Sequence, residues 1–168
     1  MSEVRPIRLT VATPNDMEAL GATIARQLRA GDLVLLNGEL GAGKTTLTRG
    51  LGAALGVRGA VTSPTFVLAR THPREAGAPL VHVDAYRLRS AVELDDLDID
   101  FAGSIVVVEW GAGLLDGLTD DWLELDIVRP GSSSGKGTEY DGPEPRTVTL
   151  TGHGERWKDL GWVGASRD

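Results

Sequence analysis

The sequence predicts an α/β fold of three layers, built on a mixed, mainly parallel central sheet with antiparallel strands towards the C-terminus. Three observations carry this expectation. Two unbroken apolar runs, Leu33, Val34, Leu35, Leu36 and Ile105, Val106, Val107, Val108, read as strands buried on both faces, which is how parallel strands covered by helices look. Helical periodicities fall between the strand-like segments. Residues 122–128 and 147–150 alternate apolar with polar side chains, as half-buried antiparallel strands do.

The chain has 168 residues, the length of one domain. With 41% hydrophobic and 24% charged residues it has the composition of a globular protein that buries its own core. Cysteine is absent, which excludes disulfide scaffolds, thiolate zinc sites and cysteine nucleophiles. No signal-peptide core and no apolar stretch of ~18 residues is present. A soluble, cytoplasmic protein that does not enter a membrane is expected. The net charge is −7, the opposite of what a direct nucleic-acid binder usually carries. Eleven acids and no Lys or Arg lie between residues 90 and 128. That stretch is either a solvated face or a docking surface for a partner.

In chain order, residues 7–11 alternate as a half-buried strand. Thr13, Pro14 and Asp16 start a helix as N-cap, first helical residue and dipole partner. Met17, Leu20, Ile24 and Leu28 continue it, with Gly31 as its stop. The buried run 33–36 ends in Asn37 and Gly38, and a second helix follows over about 43–55, closed by Gly56. Residues 66–70 and 80–84 read as strands, 91–97 as a short helix and 105–108 as the most deeply buried strand. Residues 122–128 and 147–150 look like hairpin partners. The 130–145 segment between them is rich in Gly, Ser and Pro and reads as a flexible loop insert. Residues 1–152 thus form one domain, and 153–168 a tail whose Trp157 and Trp162 either dock on the body or form a mobile end.

Residues 38–45 match the G-x-x-x-x-G-K-[ST] phosphate loop without a gap: Gly38, Glu39, Leu40, Gly41, Ala42, Gly43, Lys44 and Thr45. Backbone N–H groups must converge there on phosphate oxygens, and glycines leave room for that approach. The helix that follows points its positive end at the same anion. Lys44 would reach the β and γ phosphates, and Thr45 would ligate Mg²⁺. The cofactors implied are ATP and Mg²⁺, with 39–46, Thr46 included, as the nucleotide-binding segment and the architecture as a P-loop NTPase-like domain.

Such a site needs an acid on a neighbouring strand to hold the Mg²⁺ shell or orient water. Two strands end in one, at Glu109 and Asp84. The longer apolar run before Glu109 ranks it first, although the sequence leaves the choice open. A hydroxyl-rich turn at 62–66 could fold over the γ-phosphate and offer Thr65 to the metal, as switch loops do. His82 alternates with Val81 and Val83 and reads as lining the sheet. Trp110 reads as packing.

Together, GELGAGKTT at 38–46, SPTF at 63–66, HVDAYR at 82–87 and EW at 109–110 resemble, in order and spacing, the TsaE family. This is the P-loop ATPase of bacterial tRNA threonylcarbamoyladenosine (t6A) biosynthesis. The resemblance covers roughly residues 7–152. It implies an ATPase that acts with TsaB and TsaD in modifying adenosine 37 of tRNAs reading ANN codons, and that meets tRNA only through that complex. It implies catalytic roles for Lys44, Glu109 and Asp84, and metal-ligand roles for Thr45, Thr65, Asp84 and Glu109. Tyr86 and Arg87 complete the second motif, and Trp110 the third. The chain departs from the family pattern in its acidic 94–101 segment, with Asp98 where a glycine often stands, and in the length of the 130–145 loop and the tail.

Three other readings compete. A GTPase would need Asn-Lys-x-Asp, but the only asparagines, Asn15 and Asn37, do not precede Lys. A small-molecule kinase would need an arginine-bearing lid, and Arg70 and Arg74 flank a loop that could serve. A nucleotide-gated docking module would use ATP for shape alone.

The loop insert yields the first prediction. Lengthening a surface loop costs little free energy, so replacing 130–145 by a short turn should leave the melting temperature and ATP turnover nearly unchanged. A large loss of either would mean that the segment is structured or functional.

Overall fold

The structure, a computed structural model, describes residues 6–38, 43–57, 69–74, 77–84, 99–109, 120–128 and 145–165. Its elements are β1 (Ile7–Val11), α1 (Pro14–Ala25), β2 (Leu33–Gly38), α2 (Lys44–Leu55), β3 (Ala69–His72), β4 (Leu80–Asp84), β5 (Ile105–Glu109), β6 (Trp122–Val128), β7 (Arg146–His153), a 3₁₀ turn (Glu155–Trp157) and α3 (Trp162–Ala165). The expected helix at 91–97, residues 66–68 of the expected third strand, and all of 130–145 except Pro145 lie outside the described residues.

One seven-stranded sheet runs β1-β7-β6-β2-β5-β4-β3. Its centre is parallel: β2 lies between β5 and β6, parallel to both, and β4 is parallel to β5. β7 pairs antiparallel with β6, from Trp122 opposite His153 to Val128 opposite Thr147. β1 adds antiparallel to β7, and β3 to β4. The mixed, mainly parallel sheet with C-terminal antiparallel strands is therefore the observed one. Leu33, Val34, Leu35 and Leu36 are all buried, as is every residue of β5, because both strands have neighbours on each side and cover on each face.

The inward side chains form two clusters. Val34, Leu36, Ile105, Val107, Leu123 and Leu125 pack with Met17, Leu20 and Ile24 of α1 and Leu47 and Leu51 of α2. On the opposite face Leu33, Leu35, Val81, Val83, Val106 and Val108 pack with Ile99, Phe101 and Trp122. α1 begins as expected: the Asp16 N–H donates to Thr13 Oγ1 at 3.1 Å, and Pro14 opens the helix. It ends earlier than its periodicity suggests, at Ala25 rather than after Leu28. The Gln27 and Leu28 N–H groups turn to the carbonyls three residues back, at 2.9 and 3.1 Å, and the Asp32 carboxylate accepts from the Arg29 N–H at 2.8 Å. Gly31, at φ +96°, belongs to the turn into β2. Leu28 still packs on the core, which is why it fits the helical period.

The tail docks. Trp157 is 1% exposed and joins the core with Leu160 and Val163. Arg156 clamps it across 124 residues of sequence: Nε and Nη2 donate to the two oxygens of Asp32 at 3.0 and 2.9 Å, Nη2 also reaches the Gln27 carbonyl, and the guanidinium lies 4.2 Å from the Trp157 ring centroid.

α1 and α2 meet backbone to backbone. A Cβ placed on Gly21 would sit 2.2 Å from the Leu47 carbonyl oxygen, and one on Gly50 would sit 2.2 Å from that of Glu18. Alanine at either position gains up to about 1 kcal/mol of helix propensity, but it must push the helices apart, and overpacking of this kind costs roughly 1–3 kcal/mol. Gly21→Ala and Gly50→Ala should therefore lower stability in urea unfolding. A variant as stable as the parent would show that the helices separate freely.

Candidate nucleotide site

β2 is buried as far as Leu36, and its last residues rise to the carboxyl edge of the sheet, where the phosphate-loop sequence follows. Two contacts fix this junction. The Asn37 side-chain amide donates to Glu124 at 2.9 Å and to Asp126 at 3.0 Å, tying the strand end to β6. At the start of α2, Gly43 has φ +120°, a left-handed geometry that side chains resist. A Cβ there would also come within 3.1 Å of Met17 Cε. Gly43 offers no side chain to cap α2, so the amides of the first turn are left for an anion. Lys44 is buried, and its ammonium donates to the Gly38 carbonyl at 2.5 Å, which folds it back across the mouth of the loop. Thr48 Oγ1 donates to the Lys44 carbonyl at 2.8 Å. Thr45 and Thr46 are half-buried in the same turn. Glycine geometry, a helix start without a side-chain cap and an inward lysine are compatible with a polyphosphate.

The register aligns the acids with this junction. Leu36 of β2 pairs with Glu109 of β5, and Glu109 pairs with Asp84 of β4. The three positions form one row, two residues short of Gly38. Side chains alternate along a strand, so Glu109 follows Ile105 and Val107 onto the face that α1 and α2 cover. His82 follows Leu80 onto the same face. There His82 Nε2 bonds Glu109 Oε2; His82 is 0% and Glu109 5% exposed. The other ring nitrogen, Nδ1, is buried without a hydrogen-bond partner, an arrangement that costs about 1–3 kcal/mol of desolvation. Among the described residues no group of three or more His, Asp or Glu is placed to hold a metal ion by itself. The donor set that remains, Thr45 with one or two carboxylates, suits Mg²⁺, which keeps several waters and shares its shell with phosphate oxygens.

Beside the cradle an open cleft is lined by Val11, Thr13, Pro14, Met17, Gly43, Thr46 and Arg146. It lies between the starts of α1 and α2. Arg74 is occupied elsewhere: Nε donates to the Leu55 carbonyl at 2.9 Å and Nη1 to that of Ala78 at 3.1 Å. Glu39, Leu40, Gly41, Ala42, Thr65, Tyr86, Arg87 and Trp110 lie outside the described residues, and of Asp84 only the backbone position is described.

The family profile described as threonylcarbamoyl adenosine biosynthesis protein TsaE matches residues 11–136. The chain belongs to the TsaE family. It is 59% identical over 145 residues to the tRNA threonylcarbamoyladenosine biosynthesis protein TsaE of Streptomyces coelicolor, covering 84% of this chain and 93% of that one. It is 30% identical over 158 residues to the Bacillus subtilis protein of the same name, covering 94% and 92%. The fold is similar to the crystal structure of Bacillus subtilis YdiB, with a TM-score of 0.76 and 26% identity over the whole of both chains. Among the described residues no helix is long and apolar enough to cross a membrane.

Reading the sequence missed three contributions to the site: the His82–Glu109 bond, the backing of Gly43 by Met17, and the cleft residues Thr13 and Arg146. For His82 a signal was available, since it is a polar residue on an otherwise apolar face two positions before a strand-terminal acid. His72, on β3 beside this group, is buried, and its Nε2 is also unpartnered. Burial first, then the neighbouring His82 and Arg70, lower its pKa below the usual histidine value. A histidine held neutral in the fold binds fewer protons than the unfolded chain, so its contribution to stability is present above pH ~6.5 and is lost as the pH falls below that value. The melting temperature should drop from pH 7.5 to 5.5 by less in His72→Gln than in the parent. Equal drops would remove His72 as a source of acid sensitivity.

Proposed function

We propose that the chain is the Mg²⁺-dependent ATP hydrolase of tRNA threonylcarbamoyladenosine biosynthesis, acting with TsaB and TsaD on adenosine 37 of tRNAs that read ANN codons. Membership of the TsaE family supports the pathway. The observation that carries the chemistry is the convergence, at one edge of the sheet, of an uncapped glycine-started helix, Lys44 and the buried carboxylate of Glu109. Lys44 and the first-turn amides of α2 hold the phosphates. Thr45 and Glu109 would hold Mg²⁺, which when bound would draw charge from the phosphate oxygens. Glu109, ranked ahead of Asp84, orients the attacking water or the metal shell. Arg146 and Thr13 border the nucleoside. Among the described residues Arg146 is the cation lining the adjoining cleft, and the sequence marks no further cation clearly aimed at the γ-phosphate, so turnover in isolation is slow, and a partner supplies the missing charge or orders the loop carrying Thr65. The two guanidinium hydrogen bonds of Arg74 to backbone carbonyls argue against a mobile kinase lid there and favour hydrolysis.

Two variants test this. Lys44→Ala should abolish Mg²⁺–ATP binding in calorimetry. Glu109→Gln keeps the shape but not the charge, and should cut phosphate release by at least ~100-fold while binding survives, both alone and with TsaB and TsaD present. Unchanged affinity in the first variant would overturn the site. Parental turnover in the second would pass the role to Asp84.

A further inference from the structure

The His82–Glu109 bond lies on a sheet face whose neighbouring strand positions, Leu80, Ile105 and Val107, are apolar. β4 presents Leu80 and His82 to the face covered by α1 and α2, and a leucine at 82 would continue the apolar row. His82 instead is fully buried, and among the described residues it makes one side-chain hydrogen bond, to Glu109, and has no partner for Nδ1. Glu109 is nearly as buried and sits at the strand end next to the phosphate-loop junction. A carboxylate on a long side chain has several rotamers. One oxygen fixed by an imidazole N–H has its second oxygen fixed too, because the group is planar. An orphaned ring nitrogen weakens the fold, so stability gives no reason for histidine here.

We propose that His82 is the positioning residue for Glu109. Its Nε2–H holds Oε2 from within the core, so that Oε1 is presented at the carboxyl edge of the sheet, where water or the Mg²⁺ shell needs a fixed acceptor. This rests on the nucleotide-site reading above and adds to it the source of the orientation of Glu109. Carboxylates and histidines that work at metal and phosphate centres are commonly oriented by such outer hydrogen bonds, and a misplaced catalytic group loses rate before it loses affinity.

The positioning role requires a proton on Nε2 in the nucleotide-free protein. Imidazole ¹⁵N–¹H spectra of the unmodified chain should show it for His82. The kinetic test compares His82→Gln, whose amide nitrogen lies near the place of Nε2 and can still donate, with His82→Leu, which cannot. Both should bind Mg²⁺–ATP within about threefold of the parent. Single-turnover phosphate release should fall at least tenfold in His82→Leu and recover most of that loss in His82→Gln. An Nδ1–H tautomer would overturn the proposal even if His82→Leu does not fold. So would parental turnover in His82→Leu, or an equal loss in both variants, since a packing role would not be rescued by an amide. A parent chain that neither binds nor hydrolyses ATP would instead refute the nucleotide-site reading, and the positioning role with it.

Discussion

Gly21 and Gly50 let α1 and α2 touch backbone to backbone, and the position of Gly43 and Lys44 follows from that contact. α2 begins at Lys44, directly after the loop sequence, and a helix moves as a rigid unit over its 12 residues. Its distance from the sheet is set by Leu47 and Leu51 against the core, and its lateral position by α1. Met17, one turn before Gly21 on α1, abuts Gly43. One helix thus braces both the body of α2 and the glycine at its start. The interior is close-packed, so a displacement at Gly21 has no void to absorb it and is carried to Lys44. Stability and site geometry therefore respond together to a single added methyl group.

The parallel centre of the sheet performs the complementary task. Parallel pairing places the carboxyl ends of β2, β5 and β4 at one edge, and ligands of open α/β sheets bind at that edge. The register then fixes which residues share a row. Neighbouring strands lie ~4.8 Å apart, so Glu109 is one strand from β2 and Asp84 two. That spacing gives a structural reason for ranking Glu109 first, beyond its longer apolar run.

Much of the fold was legible because its signals are local. Runs of four apolar residues marked β2 and β5, alternation marked β6 and β7, and Thr13 with Pro14 marked the start of α1. The end of α1 was misread because Leu28 keeps the helical period while packing from a turn. What could not be read depends on contacts between distant residues. The clamp of Arg156 on Asp32 spans 124 residues, and the Asn37 bonds to Glu124 and Asp126 span 87 and 89. The close approach at Gly21 and Gly50 is equally invisible, since a glycine inside a helix looks only like a weak helix former. In the candidate site the phosphate-loop motif pointed to Lys44 and Thr45, and the acids ending two strands pointed to Glu109 ahead of Asp84, but the partner of Glu109 emerged only when β4 and β5 were set side by side.

Five of the eleven acids at 90–128 change meaning once folded, while Glu93, Asp95, Asp96, Asp98 and Asp116 lie outside the described residues. Read as sequence, the stretch is a block of like charge, suited to solvent or to a basic partner. In the fold, Asp100 accepts from the Gly103 N–H, Glu109 bonds His82, Asp121 accepts from the Arg156 N–H, Glu124 bonds Asn37 and His153, and Asp126 bonds Asn37. These carboxylates are acceptors for the chain's own donors, and each holds a strand end, a turn or the tail in place. A carboxylate already engaged in this way is a poor site for a partner's lysine or arginine, because the new ion pair must displace an existing hydrogen bond. Formal charge along a sequence therefore overstates the field available for docking. The contribution to steering is carried by charges that have no internal donor, and it is screened within a Debye length of about 8 Å at physiological ionic strength. The net charge of −7 still opposes direct contact with a phosphate backbone.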